Sequence, residues 1–112
     1  MKTVVLLVSA PNARTARRLA EALVEERLAA CVTDVPGAVS VYRWKGKVER
    51  TSEHLLLIKT RRPRLTDLVR RIKTLHPYDV PEILALPVVG GNSDYLDWLR
   101  TSTASPPRSR AR

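Results

Sequence analysis

A single cysteine, Cys31, stands in a chain of 112 residues. It excludes an internal disulfide framework and fits a reducing compartment, so a cytoplasmic location is expected. Apolar runs of 18 residues are missing too, which leaves no candidate for a helix that crosses a membrane. The opening MKTVVLLVSAP is too short in apolar residues for that role. A helical pattern follows it directly, so it reads as a first strand rather than a cleaved leader. Aromatic residues make up only 4% of the chain, and none falls between Lys59 and Lys73, where seven basic residues face Asp67 alone. A nucleic-acid stacking platform wants aromatics among its cations. The run therefore reads first as a solvated helix face, with a nucleic-acid-binding module as a rival reading through charge alone. Acid is absent after Thr101, where Arg108, Arg110 and Arg112 stand. Residues 102–112 lack apolar periodicity and are expected to form a disordered basic tail beyond a domain of residues 1–101. Elsewhere ten basic residues balance ten acidic ones, which confines the formal charge of +9 to these two stretches.

What is present suits one domain with a real core: 44% of the residues are apolar. Residues 3–9 form a continuous apolar run rich in β-branched side chains, the pattern of a buried strand. Pro11 and Asn12 break it, and Asn12 can cap a helix. Ala16, Leu19, Ala20, Leu23 and Leu28 then recur at helical spacing. AACVTDV reads as a second strand that ends at Pro36-Gly37. AVSVYRW resumes extended character, a turn follows around Gly46, and HLLLIKT is a third strand. Pro63 suits the first position of a second helix, whose apolar face is Leu65, Leu68, Val69, Ile72 and Leu75. That helix must stop near His76, because Pro77 disfavours helical geometry in the residue before it. Residues 83–89 are expected as a fourth strand, and Ser93 as the cap of a short last helix.

The two halves repeat a strand–helix–strand order, so the fold class is α+β, a ferredoxin-like split βαβ sandwich. Right-handed crossovers put two helices on one face of a four-stranded antiparallel sheet. The other face would be bare, yet the central strands are apolar on both sides. Another copy of the chain is the expected cover.

The stretches LAACV (28–32), PGAVSVYRWKGKVE (36–49), LLLIKT (55–60), HPYDVPEILALPV (76–88) and YLDWL (95–99) resemble the CutA divalent-cation tolerance family, in its order and at its spacing. The resemblance implies a ferredoxin-like homotrimer linked to tolerance of copper and other divalent ions, and the leading reading of the chain is a non-enzymatic cytoplasmic protein with metal ions as partners. The resemblance also implies Cys31 and His76 as candidate copper ligands, a chemically sensible soft thiolate and imidazole. A further cysteine of some members is Val8 here. The alternatives are a small buried apolar role for Cys31 and, for His76, a helix C-terminal residue that complements the dipole. In the strand order 4-1-3-2 the two residues lie on opposite edges, roughly 14 Å apart, so a shared ion would need ligands from neighbouring subunits.

Asp79 and Glu82 offer hard oxygen ligands, or else are solvated or paired with arginines. No nucleophile lies near them for catalysis. Pro77 and Pro81 hold the segment extended, and Tyr78 is expected to pack at the helix end. Tyr42 and Trp44 share one side of a strand and suit a subunit interface. Tyr95 and Trp98, at helical spacing, are expected to pin the last helix to the sheet or to a neighbour. Rival functions are a trimeric small-molecule sensor resembling PII-like signalling proteins and, more remotely, an acylphosphatase-like enzyme. The latter needs a phosphate cradle of free backbone N–H groups, and SAPNAR gives up one such group to Pro11.

Overall fold

The computed structural model describes residues 2–104. Its sheet has the order β2-β3-β1-β4, antiparallel throughout, with β1 at Thr3–Ala10, β2 at Cys31–Trp44, β3 at Lys47–Arg61 and β4 at Ile83–Pro87. Helices α1 (Ala13–Glu25) and α2 (Leu65–Leu75) cover one face, and α3 (Ser93–Ser102) follows β4. This is the ferredoxin-like sandwich that the alternating strand and helix patterns predict.

Alternation along the two central strands builds the core. Val4, Leu6, Val8 and Ala10 of β1 and Leu56 and Ile58 of β3 point to the helices and are buried. Ala16, Leu19 and Leu23 of α1 meet Leu68 and Ile72 of α2 over them. The Asn12 side chain accepts from the Thr15 N–H at 2.8 Å and satisfies one of the free donors at the start of α1. Arg27 closes that helix in the left-handed region (φ 62°), so that the N–H groups of Leu28 and Ala29 both reach the Leu23 carbonyl. α2 is preceded by a 3₁₀ turn, Arg62–Arg64, so Pro63 sits in that turn and not at the first α position.

The opposite face is open. Val5 and Leu7 of β1 lie beside Leu55 and Leu57 of β3, Leu84 and Leu86 of β4 and Val35 of β2. Leu84 is 54% and Leu86 47% exposed. α3 covers only one end of this face, where Arg61 donates to the Thr103 hydroxyl at 2.7 Å and to its carbonyl at 3.1 Å.

Several expectations are corrected. β2 does not end at Pro36-Gly37. Val35 pairs with Leu55 and Ala38 with Glu53, so these two residues form a bulge in one long strand. Proline has no N–H for the ladder, and Gly37 takes a positive φ of 78°. The bulge shifts parity by one, so the even-numbered Tyr42 and Trp44 join the odd-numbered Cys31, Thr33 and Val35 on the open face. Beyond it β2 and β3 project as a hairpin closed by Lys45 and Gly46, both at positive φ, and the molecule extends 49 × 36 × 21 Å. β4 stops at Pro87, two residues short of the expected Val89, because its ladder partner β1 begins at Thr3. Asn92, and not Ser93, caps α3 by accepting from the Asp94 N–H at 3.0 Å. α3 also runs past the expected boundary at Thr101: Ser102 closes it, and Thr103 beyond it is fully buried. The rest of the expected tail, from residue 105, lies outside the described residues.

Candidate functional site

Cys31 opens β2 opposite Lys59 of β3, on the open face and only half-buried. It is therefore not part of the helix-covered core. Its Sγ lies 4.0 Å from the Thr33 hydroxyl, which accepts from the Lys59 ammonium at 2.6 Å. α3 passes close by: burial first, and then the charge of a Cys31 thiolate, push the Tyr95 phenol above its usual range.

His76 ends α2 with extended backbone, as Pro77 requires. The ring is 7% exposed, and both nitrogens are engaged. Nε2–H donates to the Ser9 carbonyl at 2.7 Å, and Nδ1 accepts the Tyr78 N–H at 3.2 Å. A carbonyl can only accept and a backbone amide can only donate, so the ring is the neutral Nε2–H tautomer. Ligation of a metal would break one of these bonds. The residue acts as a clamp between α2 and the end of β1, and its ring packs against that of Tyr78 at 4.8 Å with a tilt of 51°.

Cys31 and His76 do not meet. Cys31 stands level with Val5 of β1 and His76 with Ser9, two strand spacings and four residues away, roughly 16 Å. Among the described residues no group of three or more His, Cys, Asp or Glu side chains converges on a point that could hold a metal ion. The donors present in one chain thus do not fit a Cys31–His76 copper site.

The segment 77–82 crosses the open face beyond the end of β1 and forms a half-open cleft of about 680 Å³ with the base of the hairpin. Glu53 of β3, one residue past the β1 ladder, lines it and is 5% exposed. The Tyr78 hydroxyl donates to Glu53 at 2.6 Å. Burial, and then this bond to a carboxylate, push the Tyr78 phenol well above the tyrosine range and keep it protonated. Tyr78 thus packs against the helix end as expected, but its hydroxyl partner was not anticipated. A carboxylate just before LLLIK carries no local mark of burial. Asp79 and Glu82 stand exposed on the rim of the cleft, and neither forms an ion pair among the described residues.

Tyr42 and Trp44 edge the same cleft at 41% and 43% exposure. The Tyr42 hydroxyl is 3.1 Å from that of Thr51, and the Lys45 ammonium lies 5.9 Å from the Trp44 ring. Tyr95 and Trp98 contact each other at 5.5 Å and stay exposed. Leu99, together with the Arg61–Thr103 contacts, holds α3 within the chain.

Comparison with known proteins accords with this arrangement. The family model described as CutA1 divalent ion tolerance protein matches residues 4–102. The divalent-cation tolerance protein CutA of Thermus thermophilus is 56% identical over 99 residues, 88% of this chain and 96% of that protein. The chloroplastic protein CutA of Arabidopsis thaliana is 50% identical over 101 residues, which cover 90% of this chain but 56% of the plant protein. The crystal structure of CutA from Xylella fastidiosa superimposes with a TM-score of 0.91 at 42% identity, covering 93% of this chain and 100% of that one.

Proposed function

The chain belongs to the CutA1 divalent ion tolerance family, and from that premise we propose that it acts without catalysis, as a cytoplasmic homotrimer, in the response to divalent cations, copper included. The trimer reading draws on the open face and on the hairpin, where apolar side chains stand exposed on a single chain. The metal reading draws on Cys31, whose thiol lies on that open face and not in the helix-covered core. In an assembly, ligands from neighbouring copies can join it there. His76 is left to its clamp, since both its nitrogens are already used. Soft thiolate ligation favours Cu(I).

The test is a Cu(I) titration of the reduced protein, with Cys31→Ser and His54→Ala as variants. His54 is hydrogen-bonded to Asp34 at 2.7 Å, away from Cys31. Cys31→Ser is expected to weaken binding by about tenfold or more, and His54→Ala to leave it unchanged. Identical isotherms for wild type and Cys31→Ser would overturn the metal role of Cys31.

A further inference from the structure

The formal charge of +9 is unevenly placed in the fold. The helix layer, residues 13–27 and 62–75, holds nine basic residues against four acidic ones. The rest of the described chain holds eight against seven. The basic run from Lys59 to Lys73 does not stay together. Lys59 donates to Thr33 and Arg61 to Thr103 on the open side of the sheet. Arg70 is paired with Asp67 and Arg71 with Glu26. Left over are Arg14, Arg17 and Arg18 of α1, Arg27 at its end, and Arg62 and Lys73 on the second crossover. All six are exposed, and none forms an ion pair among the described residues. Glu21 and Glu25 are the acids of the layer in the same state. Arg14 repels Arg17 and Arg18, three and four residues on, at a cost to the helix that a bound anion removes.

The kind of anion follows from extent and composition. Arg14 and Arg27 lie about 20 Å apart along α1, and α2 packs beside it through the Arg71–Glu26 pair. A single phosphate meets one or two of these cations, and a linear polyanion meets several. Eight of the nine basic residues are arginine, whose planar fork grips phosphate oxygens in pairs. No Phe, Trp or Tyr stands in either stretch, so unpaired bases have no platform on which to stack. Such a surface reads a phosphate backbone and not base edges. A duplex presents that backbone continuously, about one charge per 1.7 Å of its axis. The helices also lie across the sheet from the exposed apolar face, so copies that associate through that face leave the helix layer in water.

We propose that the helix layer is a sequence-independent docking surface for duplex nucleic acid. Arg14, Arg17 and Arg18 are its principal phosphate contacts, and Arg27, Arg62 and Lys73 extend it. The surface lies across the sheet from Cys31, and the proposal stands whether or not that thiol binds a metal.

Fluorescence anisotropy of a labelled DNA duplex of about 20 base pairs, titrated with the full-length protein in whatever assembly it forms, tests this. Affinity is expected to fall by about fortyfold or more between about 50 and 200 mM salt, the loss that three or more phosphate contacts give. A duplex of scrambled sequence is expected to bind equally. Changing Arg14, Arg17 and Arg18 together to Gln is expected to weaken binding by about tenfold or more at the lower salt and to flatten the salt dependence. Should that variant fail to fold, Arg62→Gln combined with Lys73→Gln decides the matter, with an expected loss of about threefold. Lys47→Gln, opposite Trp44 on the hairpin, is the control and is expected to change nothing. Absence of salt-dependent binding overturns the proposal. Undiminished affinity in the folded helix-layer variants does the same, since charge outside the layer would then carry the binding. An equal loss in Lys47→Gln also overturns it. So does binding to phosphatidylserine vesicles with none to the duplex, which would make a lipid surface the occupant.

Discussion

The carboxylate of Glu53 has left water for a place where one phenol answers it. Such a pair is asymmetric in its consequences: forming it stabilises modestly, while removing one partner leaves the other buried and unsatisfied. Tyr78→Phe removes only the hydroxyl, and the expected loss is about 1–3 kcal/mol in urea unfolding. Its pH dependence identifies the cause. Folded Tyr78 keeps its proton where an unfolded tyrosine, with its ordinary pKa of 10.0, releases it. The stabilisation is therefore complete below about pH 10 and falls away as pH rises further. Wild type is expected to lose stability steeply above that pH, and Tyr78→Phe more gently, with Tyr95 contributing to the remaining slope. Parallel profiles for the two proteins would show that the phenol does not titrate differently on folding.

At the scale of elements, α3 and the hairpin show how short polar contacts place larger pieces. α3 has few buried side chains of its own, with Leu99 the only fully buried residue along it. Its end is tied down by Thr103, whose hydroxyl accepts from Arg61 Nε and donates to the Leu99 carbonyl at 2.9 Å. A chain that stops at Thr101 leaves a half-buried guanidinium without these partners. It is expected to lose about 2 kcal/mol, or several degrees in Tm, relative to a chain that stops at Ala104. Thermal unfolding of the two truncations measures this directly, and equal melting temperatures would mean that Thr103 anchors nothing. In the hairpin the bulge at Pro36-Gly37 has the corresponding role. Without its one-residue shift, Tyr42 and Trp44 would face away from the cleft and from the open face of the sheet.

The whole molecule is an unfinished surface. Val39, Val41 and Val48 stand exposed on the hairpin, and the open sheet face carries Leu84 and Leu86 in the same state. Val39, Val41 and Val48 share the hairpin face opposite the open one, so the chain offers apolar surface for association on both sides. Static light scattering is expected to report three chains per particle, and a monomer at micromolar concentration would remove the proposal. Trp44→Ala is expected to weaken assembly by about 2 kcal/mol or more, as for a central aromatic anchor. The effect would show as smaller species on dilution.

Element order and strand order were readable from the chain, since helical and strand periodicities are local and the handedness of crossovers is general. The same reasoning separates Cys31 from His76. The engagement of His76 was not legible, for its acceptor at Ser9 lies 67 residues away. Nor was the burial of Glu53, which depends on where residues 77–82 cross the sheet. Pro36-Gly37 looks like the end of a strand because its own residues disfavour a ladder. Whether such a pair ends a strand or bulges depends on what stands opposite, and here β3 continues past it with Glu53 ready to pair with Ala38. Periodicity along the chain determined which segments form strands and helices. Tertiary pairing decided which face each later side chain occupies, because a one-residue shift in register reverses every face beyond it.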